Sequence, residues 1–133
     1  MLKRFKNQLS FFEISSNDSC LLAVSGGVDS MVLTDLFRRS NVSFSIAHCN
    51  FNLRGEESSQ DAAFVKSIAK KITCNYFEAN FTTKYYSKFK KYSIQMAARE
   101  LRYSWLNELS KIHGFSKILT AHHLDDSFET FMI

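Results

Sequence analysis

Apolar positions along the chain follow two periods, and the two alternate. Four short runs have the length and composition of buried strands: Cys20 to Val24, Phe44 to His48, Cys74 to Phe77 and Lys117 to Ala121. Between them lie segments of helical spacing. Val28 to Arg39 puts Val32, Leu33, Leu36 and Phe37 on one face, and Asp61 to Ile72 does the same with Ala62, Val65, Ile68, Ala69 and Ile72. The longest segment, Ile94 to Ile112, predicts a buried stripe of Ile94, Ala98, Leu101, Trp105, Leu109 and Ile112. Ahead of the first strand, Phe5, Leu9 and Phe12 stand at i, i+4 and i+7 and predict a short amphipathic helix. Strand and helix in alternation imply a parallel sheet with right-handed crossovers, an α/β doubly wound fold. In such a sheet ligands bind beyond the carboxyl ends of the strands.

The last residues, Thr130 to Ile133, fall inside a helix predicted to begin near Asp125, with no C-cap signal. The chain therefore reads as a single domain over residues 1–133 that is incomplete at its C-terminal end. A fifth strand would follow that helix. Without it, Lys117 to Ala121 is expected to present an unpaired edge, which invites self-association and admits a homodimer.

Composition narrows the class. With 133 residues, 45% of them hydrophobic, the chain is long enough for one core, and disorder is not expected. No apolar run approaches the roughly 18 residues of a membrane span, and residues 1–19 lack the apolar region of a signal peptide. Cys20, Cys49 and Cys74 are odd in number and form no CxxC pair, so they suggest neither a disulfide framework nor a thiolate metal site; a reducing cytoplasm fits them. The net charge of +4 permits a polyanionic partner without establishing one. More informative is the cluster Lys84, Lys88, Lys90 and Lys91 interleaved with Tyr85, Tyr86, Phe89 and Tyr92. Lysines beside stacking rings suit single-stranded nucleic acid. The same pattern also describes a solvated helix whose aromatics turn into the core.

The polar motifs lie at the ends of the predicted strands. After the first strand comes Ser25-Gly26-Gly27-Val28-Asp29-Ser30, and then a helix. Strand, small-residue loop and helix N-terminus make an anion site: the glycines permit positive φ and close backbone approach, and unpaired N–H groups face the anion. The lysine of a Walker A loop is missing, and so is the G-x-G-x-x-G of dinucleotide sites. Asp29 beside phosphates would be repulsive without a divalent cation between them, which implies magnesium. A Gly-Gly turn capped by Asp29 and Ser30 is the bland alternative. The second strand runs into His48-Cys49-Asn50 and Leu53-Arg54-Gly55, with Ser58 or Ser59 as a helix cap near Asp61. Arg99 and Arg102 stand at i and i+3 on the long helix, where they could neutralise phosphate charge or simply pair with Glu100 or Glu108. The fourth strand runs into His122-His123-Leu124-Asp125-Asp126, whose acids fall in the first turn of a helix. Oxygen ligands beside a phosphate loop suit magnesium better than zinc.

Ser-Gly-Gly-x-Asp-Ser resembles the loop of the ATP pyrophosphatase (PP-loop) group. Ala97-Ala98-Arg99-x-x-Arg102-Tyr103 and Ala121-His122-His123-x-Asp125-Asp126-x-x-Glu129-Thr130 resemble, in order and spacing, motifs of the tRNA(Ile)-lysidine synthetases. Phe51-Asn52 departs from that family's pattern. The resemblance implies a Rossmann-like adenine nucleotide alpha hydrolase (HUP-type) fold. It also implies a cytoplasmic ligase that forms a carbon–nitrogen bond, with ATP as co-substrate and Mg2+. On this reading the cytidine at the first anticodon position of an isoleucine tRNA with a CAU anticodon attacks the α-phosphate of ATP through its O2. Pyrophosphate leaves, and the amine of free L-lysine then displaces AMP at C2. The implied catalytic residues are Asp29, Arg99, Arg102 and Asp126, with Asp29 and Asp126 at the metal. Ser25, Gly26, Gly27, Asp29 and Ser30 would hold pyrophosphate, and His48, Asn50 and His122 would lie near nucleotide or cytidine. A tRNA-thiolating relative and a non-catalytic ATP-binding module are the alternatives. The thiolating enzymes commonly carry a cysteine pair before the long helix, where this chain has none.

Overall fold

The computed structural model describes residues 2–11, 13–15, 17–121 and 128–132. Helix α1 (Leu2–Phe11) precedes strand β1 (Ser19–Ala23), and α2 (Val28–Arg39), β2 (Ser43–Asn50), α3 (Glu56–Lys71) and β3 (Tyr76–Asn80) follow. Two helices, α4 (Thr83–Lys90) and α5 (Ile94–His113), then lead to β4 (Lys117–Ala121) and β5 (Phe128–Met132). The sheet order is β3-β2-β1-β4-β5. The first four of these strands are parallel and β5 is antiparallel to β4. All four predicted strands are present, and the alternation of strand and helix is the doubly wound arrangement expected of it.

Alternation along the central strands divides the core in two. Cys20 and Leu22 of β1, Ile46 of β2 and Leu119 of β4 face α1, α2 and α3, where they meet Phe5, Leu33, Phe37 and Val65. Leu21, Ala47 and Ile118 face the other way, onto Leu106 and Leu109 of α5 and Phe115. Phe5 meets the Phe37 ring edge-on at 5.1 Å, which docks α1 as its apolar stripe predicts. Phe12, the third position of that stripe, lies outside the described residues.

Four details differ from the sequence reading or settle what it left open. Residues 128–132 form a strand rather than part of a helix. A single helical turn is marginal by itself, whereas a ladder against β4 satisfies the backbone at once. β4 is therefore paired on both sides, and the unpaired edge expected there is absent. Second, α3 starts at Glu56 with Gly55 as N-cap and no side-chain cap. Ser59 is inside the helix, its N–H directed to the Gly55 carbonyl, so it is not the cap. Glu56 and Glu57 already suit the dipole of the first turn. Third, of the two readings left open for α4, the outward one holds for Tyr85 and Phe89, each 71% exposed, while Tyr86 is half-buried. Fourth, the buried face of α5 is Ala97, Leu106, Leu109 and Ser110, while Ile94 and Ile112 are exposed. Over its C-terminal half the helix is turned by about one residue step, roughly 100°, from the predicted stripe. Arg102, one turn before Leu106, is thereby carried onto the sheet-facing side.

Candidate nucleotide-binding site

Strand order reverses between β1 and β4, and a crevice opens at the carboxyl ends of such a sheet. A cavity of about 390 Å³ lies there. Three strands contribute Ala23, Ala47 and Thr120; the loop after β1 contributes Ser25, Gly27, Asp29 and Ser30; Cys49, Phe51 and Arg102 close the far side. A larger hollow, about 570 Å³, lies along α2 with Leu2, Met31, Leu36 and Phe64. Its two charges, Asp35 and Arg39, pair with each other at 3.1 Å, so it offers apolar surface rather than phosphate chemistry.

The loop is held by its own serines. Ser30 Oγ donates to the Gly27 carbonyl at 3.0 Å and accepts from the Gly26 N–H at 3.1 Å. Ser25 Oγ accepts from the Gly27 N–H at 3.2 Å and lies 3.2 Å from Ser30 Oγ. Since the Ser30 proton is directed to Gly27, Ser25 is the donor of that last pair. The glycine amides are thus engaged, and the donors left to an anion are the first-turn amides of α2, Val28, Asp29 and Ser30, which have no helical partner. Only Gly26 uses the conformational freedom of glycine: its φ is +95°, and a Cβ there would come within 3.3 Å of Val65. Gly27 is extended at φ −75° and serves as the N-cap without a side-chain bond, so neither Asp29 nor Ser30 caps the helix. What Gly27 offers is an open surface beside the cavity.

The two arginines separate. Arg102 lines the cavity, and its Nε is buried with no hydrogen-bond partner among the described residues. An orphaned guanidinium donor at a cavity wall is matched to an anionic or carbonyl ligand. Arg99 is exposed and stacks on the Tyr103 ring at 4.8 Å, with Arg102 at 5.2 Å from the same ring. Opposite Arg102, burial pushes the Cys49 thiol up to about 12, against a smaller downward pull from Arg102. Cys49 is therefore a protonated wall residue, not a ready nucleophile.

His48 and Asn50 line a smaller adjoining cavity of about 150 Å³ that shares Ser25, Cys49 and Phe51 with the main one. His48 is buried, with Nδ1 2.7 Å from the Val24 carbonyl. A carbonyl only accepts, so Nδ1 carries the proton, and His48 fixes the last residue before the phosphate loop. Asn50 Oδ1 accepts from the Asn52 N–H at 3.0 Å and shapes the loop after β2. Arg54 is not merely solvated: it pairs with Glu57 at 3.1 Å and with Asp61 at 2.5 Å, which ties that loop to α3 beside Gly26. His122 and Asp126 lie outside the described residues. Among the described lining residues Asp29 is the one carboxylate, and no three His, Cys, Asp or Glu side chains converge as a metal site. Cys49, Phe51 and Thr120 were not singled out by sequence; they enter because each ends or follows a central parallel strand.

A doubly wound sheet with a small-residue loop after its central strand, braced by hydroxyls and sharing a cavity with the buried Nε of Arg102, defines an α/β domain of the phosphate-loop kind. A model of the PP-loop domain family matches residues 1–133, and the chain belongs to that family. It is 42% identical over 116 residues to a tRNA(Ile)-lysidine synthase of Bacteroides thetaiotaomicron, covering 87% of this chain and 27% of that one. With the same-named enzyme of Thermosipho africanus it shares 39% identity over 135 residues, 98% of this chain and 31% of the relative. The chain thus spans about a third of the length of these relatives or less. In fold it is similar to a U34-tRNA thiolase from Methanococcus maripaludis with its 4Fe-4S cluster, at TM-score 0.76 and 18% identity over 94% of this chain and 45% of that one. An NH3-dependent NAD synthetase from Campylobacter jejuni is similar at TM-score 0.61 and 17% identity, covering 89% of this chain and 55% of that one.

Proposed function

We propose that this domain activates a tRNA cytidine with ATP so that lysine can be joined to it. The observation that carries the reading is the cavity in which the Ser25–Ser30 loop faces the unpartnered Nε of Arg102. Relatives of about 40% identity named for lysidine formation supply the substrate class. The pyrophosphate of ATP would lie on the first-turn amides of α2, in the loop that the Ser25 and Ser30 hydroxyls brace, with the helix dipole behind them. A magnesium ion fits the donor set. Mg2+ is commonly bound through one or two carboxylates plus substrate phosphates, and Asp29 supplies one such carboxylate beside the phosphate loop. When bound, the ion would neutralise charge on the departing pyrophosphate, and Asp126 is proposed as its second carboxylate. Arg102 would steady the α-phosphate as the cytidine O2 attacks it; Arg99, on the same helix, would act from the rim.

AMP then remains on the base until the lysine amine displaces it at C2. No enzyme nucleophile is required, which agrees with the protonated state of Cys49. Rate would come from positioning and charge neutralisation. We place the enzyme in the cytoplasm as a carbon–nitrogen ligase acting on an isoleucine tRNA with a CAU anticodon. The test is to incubate the complete protein with ATP, lysine and that tRNA, then weigh the modified nucleoside. Lysidine with AMP and pyrophosphate is the expected result. A thionucleoside, or ADP with inorganic phosphate, overturns the proposal.

A further inference from the structure

Helix α4 is amphipathic in the wrong sense for a helix that only packs. Its buried residues are Thr83 and Ser87, and the Thr83 hydroxyl has no hydrogen-bond partner among the described residues. Its large rings face out: Tyr85 and Phe89, one turn apart, are each 71% exposed and stack with centroids 6.4 Å apart and planes 12° from parallel. Lys84 and Lys88, also one turn apart and exposed, form the adjacent ridge, while Lys90 lies over the Tyr86 ring at 5.9 Å. No acid lies on the helix, and the nearby Glu100 is engaged by the Tyr86 hydroxyl at 2.9 Å. Leaving two aromatic side chains in water forgoes the burial that a helix which only packs would gain, so the fold alone does not explain this face.

The face is also rigid and well placed. Ser87 Oγ donates to the Tyr92 carbonyl at 2.6 Å and the Tyr92 N–H returns to the Ser87 carbonyl at 2.9 Å, which locks the turn into α5. At its other end α4 begins two residues beyond Phe81, at the carboxyl end of β3. Phe81 stacks on Phe51 at 5.6 Å, and Phe51 lines the nucleotide cavity. Phe81 also meets Trp105 edge-on at 6.3 Å. A line of rings thus runs from the cavity to the foot of α4.

We infer that the Tyr85–Phe89 face of α4, with Lys84 and Lys88, is a docking surface for a single-stranded RNA segment that feeds a base toward the nucleotide cavity. Unpaired bases stack on the rings and the lysines meet the flanking phosphates. Acid-free cationic charge selects a polyanion, and the exposed pair of rings selects unstacked bases over a duplex. This inference rests on the proposed tRNA substrate and names the surface that would engage it.

The test measures the affinity of the complete protein for a short fluorescein-labelled single-stranded RNA and for the duplex of the same sequence, across a salt series. Y85A/F89A should weaken single-strand binding by about tenfold or more, the scale of losing base–aromatic stacking. K84A/K88A should flatten the salt dependence, by about 0.7 in log–log slope for each phosphate that is no longer neutralised. Both variants should melt as the parent does, since the four side chains are exposed. Single-strand affinity and salt slope unchanged in both variants overturns the inference. So does equal binding of the duplex, or a change confined to self-association in light scattering. Assaying lysidine formation by the parent separates the two proposals. A parent that makes no lysidine, with RNA affinity lost in the variants, removes the proposed function and keeps the surface; a parent that makes it, with variants that bind normally, does the reverse.

Discussion

At Gly26 and Gly27, neighbouring glycines do different work. Gly26 holds φ +95° with Val65 3.3 Å from any Cβ, while at Gly27 the nearest obstacle is Ser25 Oγ at 3.5 Å and the backbone is ordinary. Gly26→Ala should therefore cost about 1–3 kcal/mol of stability, the range for a strained left-handed residue, and Gly27→Ala much less. Both should weaken ATP binding, Gly26 by moving the loop and Gly27 by crowding the phosphates. Urea melts alongside ATP titrations distinguish them, and equal destabilisation would count against this division of roles. The arginines divide in the same way. Arg102→Ala should lower turnover of the complete enzyme by about 10²-fold, the scale of losing one charge-stabilising donor. Arg99→Ala should lose clearly less, because Arg99 stacks on Tyr103 in the open. Single-turnover release of pyrophosphate measures this, and the reverse ranking would place the catalytic donor at the rim.

Helix α5 carries Arg102, so its ends matter to the site. Ser93 caps it by accepting the Met96 N–H at 3.1 Å, and Gly114 ends it in the left-handed conformation at φ 73°. Ser93→Ala should cost about 1 kcal/mol, while Ser93→Gly costs only a few tenths, because glycine also tolerates the cap geometry. Denaturant midpoints resolve the two. If they are equal, glycine's tolerance of the cap geometry contributes nothing; if both match the parent, the hydroxyl bond contributes nothing. The strand ends matter as much: His48 on β2 fixes the Val24 carbonyl at 2.7 Å, so two neighbouring strands hold the start of the phosphate loop together.

Over the whole molecule, the three thiols make stability depend on alkaline pH. Burial is the leading cause in each, raising Cys20 and Cys49 to about 12 and Cys74 to about 11 from an ordinary 9.0. A raised thiol pKa means that the folded state keeps protons the unfolded chain has already released. Its contribution is full below pH 9.0 and is lost as pH rises toward 11 to 12. The urea midpoint should therefore hold up to about pH 9 and fall beyond it. Replacing Cys49 with alanine should make that fall less steep. An unchanged slope in the variant would show that Cys49 ionises as easily in the folded protein as in the unfolded chain.

The order of elements, the phosphate loop after the first strand and the two-faced core were legible in the sequence, because short-range period and turn chemistry determine them locally. Leu21 and Leu22 must face opposite layers in any strand, and Ser25-Gly26-Gly27 before a helix makes an anion site wherever it occurs. What the tertiary structure decided is what depends on the partner across the gap. On α5 only packing against Leu21, Ala47 and Ile118 selects Leu106 and Leu109 as the buried residues, with Arg102 one turn earlier at the cavity wall. Phe128–Met132 becomes a strand because β4 offers its edge. Tyr85 and Phe89 point to solvent because Thr83 and Ser87 sit underneath, which settles a choice that the short-range pattern left open. Periodicity says that a face is buried; packing between residues distant in sequence says which one.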